Sequence, residues 1–287
     1  MAAEEVMIPR TVTVDGREVT YYDSEDTRNH PDDVLVLIHG TGGNTAAHFG
    51  FLFPVLASRQ RVVAIDWAQI SEDKDLELDD LVNQCRGAID QILPGKKIAL
   101  LGYSLGAVVA AKIAADAPDL VERLLLVCGW ARTDQQQQLR NSVWQALRQA
   151  PDDRALREYS VFCALGGPYL SFATPDQIEA GLGVFVFNSF IDQQMELNRH
   201  IDIAADVEKI QARTLVVGCT HDIMVPIRHQ KALFGAIPDA RFAEIGTGHG
   251  VVIERPSELS HHIQEFMDTP DKLRRRRHHP CPATIRK

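Results

Sequence analysis

Leu100-Leu101-Gly102-Tyr103-Ser104-Leu105-Gly106-Ala107 joins an apolar run, Ile98 to Leu101, to an Ala-rich helical pattern from Ala107 to Ala117. A Gly-x-Ser-x-Gly pentapeptide between strand and helix predicts a tight turn that lifts Ser104 clear of a sheet. Its glycines let strand and helix approach closely. The helix then starts at the serine, with its free N–H groups facing any anion that develops there. Three fixed residues in five recur by chance. The role of Ser104 therefore turns on whether a base, an acid and a second anion donor occur in matching contexts.

The flanking pattern supports an α/β protein. Thr11–Val14, Asp15-Gly16 and Val19–Tyr22 read as a hairpin with an Asp-Gly turn. Val34–Ile38, Arg61–Ile65, Ile98–Leu101, Arg123–Cys128 and Thr214–Gly218 are near-uniformly apolar, as strands buried on both faces are. Helical stretches separate them: Ala46–Ala57, one capped by Asp79 or Asp80 and ending near Leu93, and Ala107–Ala117. From Thr133 to about Lys209 the chain reads as helix after helix. A helix opened by Pro226-Ile227, a strand at Arg241–Glu244 and a helix from Pro256 to about Met267 complete it. The expected organisation is an α/β core over 11–132 and 210–268, a helical insertion over 133–209 after the sixth strand, and a mobile basic tail over 269–287.

The chain has 287 residues, 45% of them hydrophobic, enough for a sizeable core. The formal charge of −9 is uneven: through Pro270 there are 23 Lys and Arg against 38 Asp and Glu, or −15. So acidic a body argues against nucleic acid or an anionic membrane as partner. The Arg274–Arg277 run is expected to be a solvated terminus. No signal-peptide h-region or membrane-spanning run is seen, and the five scattered cysteines contain no C-x-x-C pair. This suits a reducing, cytoplasmic setting without a structural metal. Cys128 and Cys219 end strands and are expected to serve as small buried hydrophobes.

A serine needs a base. His249 lies in Ile245-Gly246-Thr247-Gly248-His249-Gly250, directly after the last strand, at the edge where the turn exposes Ser104. Asp222 follows the strand before it, in His221-Asp222-Ile223-Met224-Val225-Pro226, and would fix the imidazole tautomer. His221 beside it reads as a spectator. The alternative acid position, after Cys128, reads Gly129-Trp130-Ala131-Arg132 and offers no carboxylate before Asp134. Ser, Asp, His is the chain order of this arrangement. The oxyanion donors are expected at the amides of Leu105 and, from the loop after Val34–Ile38, Thr41. The Gly-rich 40–43 run lacks the Lys-Ser/Thr ending of a phosphate-binding loop and the spacing of G-x-G-x-x-G.

Together His39-Gly40-Thr41-Gly42-Gly43, Gly102-Tyr103-Ser104-Leu105-Gly106, Asp222–Pro226 and Gly248-His249 with Glu254-Arg255-Pro256 resemble the α/β-hydrolase superfamily, from about Val12 to Phe266. The resemblance implies an eight-stranded, mostly parallel sheet with helices on both faces, a cap inserted after strand six, and no cofactor. Many relatives carry Asp-x-Arg-Gly-x-Gly after strand four, where this chain has Asp66-Trp67-Ala68-Gln69-Ile70.

The insertion holds most aromatics outside the strands, among them Phe162 and Phe187. These, with Trp67, Tyr103 and Trp130, are the candidate walls of a hydrophobic substrate pocket. The leading expectation is a serine hydrolase that cleaves a carboxylic ester or thioester through an acyl-enzyme. Its substrate is a small molecule, a class that includes carrier- or CoA-linked acyl groups. The alternatives are a lyase or C–C bond hydrolase using the same triad, and a non-catalytic hydrolase-like receptor.

Overall fold

The computed structural model describes residues 7–25 and 34–269. The basic run 274–277 and Cys281 lie outside them. Eight strands form one sheet: β1 (Pro9–Val14), β2 (Arg17–Asp23), β3 (Val34–Ile38), β4 (Arg61–Asp66), β5 (Ile98–Tyr103), β6 (Val121–Val127), β7 (Arg213–Cys219) and β8 (Ala240–Ile245). Their order is β1-β2-β4-β3-β5-β6-β7-β8. β1 and β2 pair antiparallel, β2 meets β4 antiparallel, and every other neighbour is parallel. Asp15 and Gly16, at φ 48° and 76°, form the left-handed turn that the hairpin needs.

The apolar runs are continuous because both sheet faces are covered. Val34, Val36, Ile38 and Leu100 point to one side, against α3 (Leu78–Ile92) and α4 (Leu105–Asp116). Leu35, Leu37 and Leu101 point to the other, against α1 (Thr45–Phe49), α2 (Leu52–Ala57) and α13 (Pro256–Asp268). Side chains alternate along a strand, so one apolar run serves two cores.

Among the boundaries that differ from expectation, two have a clear local cause. The stretch read as one helix, 46–57, is two. Pro54 has no N–H for residue 50 and would clash with its carbonyl, so the chain breaks at Gly50-Phe51. The N-cap of α3 is Glu77, not Asp79 or Asp80. Asp80 sits in the first turn, where its carboxylate accepts the Glu77 amide at 3.0 Å. An acid at the cap and one in the first turn both suit the helix dipole, so composition alone does not separate them.

Between β6 and β7 lie α5 (Gln135–Arg148), α6 (Arg154–Ala164), α7 (Gly167–Phe172), α8 (Pro175–Val184), α9 (Ser189–His200) and α10 (Ala204–Val207). Departing and returning chains meet in a short neck, where Thr133 N–H donates to Ile201 O (3.0 Å) and Ile203 N–H to Ala131 O (2.7 Å). α10 packs on α4 with the sheet layer. α5, α6 and α9 enclose a separate cluster of Trp144, Leu156, Ile191 and Met195. After β7 come α11 (Arg228–Ala236), β8, α12 (Val251–Glu254) and α13. No helix among the described residues is long and apolar enough to cross a membrane.

Candidate active site

Ser104 sits between β5 and α4 at φ 57°, ψ −122°, a conformation that L-residues rarely adopt. Its neighbours enforce it. A Cβ on Gly102 would lie 2.1 Å from Gly106 O, and one on Gly106 2.2 Å from Ile38 O. A Cβ on Gly40 would meet Ser104 Cβ at 2.8 Å. The turn is therefore tight enough to project the hydroxyl over the carboxyl edge of the sheet.

The structure brings Ser104, His249 and Asp222 together. His249 Nε2 is 2.8 Å from Ser104 Oγ, and its Nδ1 is 2.7 Å from Asp222 Oδ2. All three are buried. Asp222 Oδ1 accepts the amides of Met224 and Val225, both at 2.8 Å. That leaves Oδ2 aimed at the imidazole. Tyr103 Oη donates to His249 O at 2.9 Å. The Glu254 carboxylate accepts the Gly248 and Gly166 amides at 3.0 Å, tying the histidine loop to the α6–α7 connection. His221 is exposed and outside this network.

In the loop after β3, three of the four amides of residues 40–43 are occupied. Gly40 N–H donates to His48 Nδ1 (3.1 Å), Gly42 N–H to Gln194 Oε1 (3.1 Å), and Gly43 N–H to Gly40 O (3.2 Å). The Thr41 amide is left without a protein acceptor among the described residues, as is that of Leu105 at the start of α4. Asn198 Nδ2 donates to Thr41 Oγ1 at 3.0 Å, so α9 holds this loop through Gln194 and Asn198.

His48 has no counterpart in the sequence reading. Burial, with His39 and His249 nearby, pushes its imidazole down to about 3, which keeps Nδ1 an acceptor for Gly40. The unfolded chain takes up this proton near pH 6.5, but the folded chain does not until about pH 3. Stability from this site is therefore whole above pH 6.5 and falls by about 1.4 kcal/mol per pH unit towards pH 3. In His48→Asn the Oδ1 replaces Nδ1 as acceptor, and unfolding free energies at pH 6.5, 5.5 and 4.5 are expected to lose that part of the slope. An unchanged slope rejects the assignment. Burial also lowers His39, which leaves a residual slope.

A cavity of about 440 Å³ opens above Ser104 and His249, beneath the helices between β6 and β7. Tyr103, Trp130 and Phe187 line it, as read from sequence. Trp67 and Phe162 do not. Trp67 is buried in the core beside α3, its Nε1 donating to Cys85 Sγ (3.3 Å) and its ring 4.3 Å from that of His39. Phe162 is 59% exposed, because α6 turns Tyr159, Ser160 and Cys163 to the cavity instead. Asp66, at the departure from the usual strand-four motif, accepts the Thr45 amide at 2.7 Å and so anchors α1.

The cavity wall also includes one face of α5: Gln137, Arg140, Asn141 and Trp144. Their i, i+3, i+4, i+7 spacing was present in the sequence, but three of the four are polar, and helical periodicity on polar residues is normally read as solvent-facing. Cys128, Asp222 and His249 each place a potential metal-ligand atom within 4.8 Å of the others. The facing Asp222 and His249 atoms already bond one another, and burial holds the Cys128 thiol well above its ordinary range, so it stays neutral. Its sulfur lies 3.3 Å from that of Cys219, both packed in the core.

The sequence pattern of the alpha/beta hydrolase family matches residues 35–261. A pyrrolizixenacetamide deacetylase of Xenorhabdus hominickii is 31% identical over 252 residues, covering 83% of this chain and 91% of the relative. Among solved structures, an α/β-hydrolase enzyme from a Medee basin deep-sea metagenome library superposes with a TM-score of 0.81 at 17% identity, covering 91% of this chain and 98% of that one. The enol-lactonase of Burkholderia xenovorans LB400 does so with a TM-score of 0.76 at 20% identity, over 91% and 100%. With the sheet order, the strained turn at Ser104 and a family match spanning most of its length, this chain belongs to the alpha/beta hydrolase family of enzymes.

Proposed function

We propose that this enzyme is a serine hydrolase that cleaves an acyl group, a carboxylic ester or thioester, from a hydrophobic small molecule through an acyl-enzyme. One observation carries the reading: the unbroken relay from Asp222 Oδ2 to His249 Nδ1 (2.7 Å) and from His249 Nε2 to Ser104 Oγ (2.8 Å). Oγ attacks the substrate carbonyl as Nε2 takes its proton, and Asp222 stabilises the imidazolium. The Thr41 and Leu105 amides receive the oxyanion, in a site that burial keeps at low dielectric. Nε2 then protonates the leaving group, and water, activated by the same nitrogen, releases the acid.

The leaving group extends to amines. The Xenorhabdus hominickii relative is named as the deacetylase of an acetamide, and the relay needs only a protonatable leaving atom. The apolar walls, Trp130, Trp144 and Phe187 among them, favour an apolar acyl or alkyl segment.

A fluorophosphonate probe with intact-mass readout tests the reading. One adduct is expected, and none on Ser104→Ala. A folded wild-type protein that takes no adduct overturns it. A labelled protein that turns over no 4-nitrophenyl ester, acyl thioester or anilide assigns the same triad to C–C cleavage or elimination instead.

A further inference from the structure

Arg140 is a cation in the cavity wall that no described carboxylate balances. It projects from the α5 face that also carries Asn141 and Trp144, and its side chain forms part of the cavity wall with Ser104 and His249. Nη2 donates to Asn141 Oδ1 at 2.6 Å, while Nε is buried without a partner. Among the described residues no carboxylate comes within ion-pairing distance of the guanidinium, although at least ten of the 15 other described arginines have one. Among the described residues no Asp or Glu lines the cavity, and its other titratable walls, His48, Tyr103, Tyr159, Cys163 and His249, bring no fixed anion. Asn141 Nδ2 is also buried and unpartnered, so the polar cluster is incompletely satisfied by protein alone.

An arginine that packs against protein for structural reasons usually finds an acid or several carbonyls. Here burial works against the charge and lowers the guanidinium's proton affinity, with only partial relief from Cys163, Tyr159 and Asp222. A ligand carboxylate would supply the missing charge and accept the planar guanidinium in charge-assisted hydrogen bonds. We infer that the substrate carries a carboxylate that pairs with Arg140, while its scissile carbonyl lies on Ser104 and its apolar body spans the aromatic wall between. The substrate class is then the ester, thioester or amide of an acid-bearing small molecule, such as a dicarboxylic half-ester. The inference rests on the acyl-transfer reading for the chemistry at Ser104, but not for the binding.

The test therefore measures binding without turnover. Ser104→Ala protein is titrated calorimetrically with the monomethyl and dimethyl esters of succinic to suberic acids. For at least one chain length the monoacid is expected to bind tenfold or more tightly than its diester. That preference is expected to vanish in Ser104→Ala/Arg140→Met and largely to persist in Ser104→Ala/Arg140→Lys, with melting temperatures confirming that each variant is folded. If the diesters bind as well as the monoacids, or no monoacid binds, or the preference survives Arg140→Met, the inference falls. Should Arg140→Met not fold, the monoacid–diester comparison in Ser104→Ala decides alone. Failure of the acyl-transfer reading would appear separately, as absence of the fluorophosphonate adduct on wild-type protein.

Discussion

Asp222→Asn is expected to lower kcat/KM by roughly four orders of magnitude while leaving the protein folded. Asp222 Oδ1 is held by the Met224 and Val225 amides, so the substituted side chain keeps its oxygen there and turns its NH2 towards His249. Nδ1 must then accept rather than donate, and the proton moves to Nε2. In that tautomer the imidazole faces Ser104 Oγ as a donor and cannot take its proton. Flipping the amide restores the tautomer but places NH2 against two backbone N–H groups in a buried site, which is costlier. Ser104→Ala should fall at least as far, and the double variant should be no worse than the serine variant, because relay members act as a unit. The check is kcat/KM on the best ester found, with the labelling rate of Asp222→Asn measured beside it. A loss of less than tenfold sinks the relay.

These three residues were legible because each is marked twice, by its type and by its place just past a strand. β5 with its pentapeptide, β7 with Asp222 and β8 with His249 all end at one edge of a parallel sheet, so a linear reading projects onto space. Thr41 was expected from its place in the loop after β3 alone, and what the geometry adds is that its neighbours' amides are occupied. The cavity was not legible in this way. Which face of α6 looks inward depends on how α5 and α8 pack against it, and Phe162 falls on the outer face. Trp67 follows β4 as the others follow their strands, yet its ring turns under the sheet to Cys85 and His39. Residue type gives no direction there. Arg140 is the converse case: a charged residue on a polar helix whose interior position follows only from the tertiary structure.

Gly106→Ala should cost about 3 kcal/mol or more of stability. The new Cβ would lie 2.2 Å from Ile38 O and 2.3 Å from His39 O. These are backbone atoms of β3 and its exit, and β3 is pinned by β4 on one side and β5 on the other. No flexible side-chain end is available to move aside, so α4 itself must retreat. Its first turn carries the Leu105 amide and is joined to Ser104, so the retreat also pulls the serine hydroxyl from His249. Two readouts should move together: the urea midpoint and the fluorophosphonate labelling rate of whatever protein remains folded. Gly235→Ala, in α11 with open space around the added methyl, is the matched control. It should be neutral or stabilising by up to about 1 kcal/mol, because alanine is the better helix former. A Gly106→Ala protein within 1 kcal/mol of wild type, labelled at the wild-type rate, would show that the sheet and α4 tolerate more separation than this packing implies. The strained serine would then owe its geometry to something other than the close approach of helix and strand.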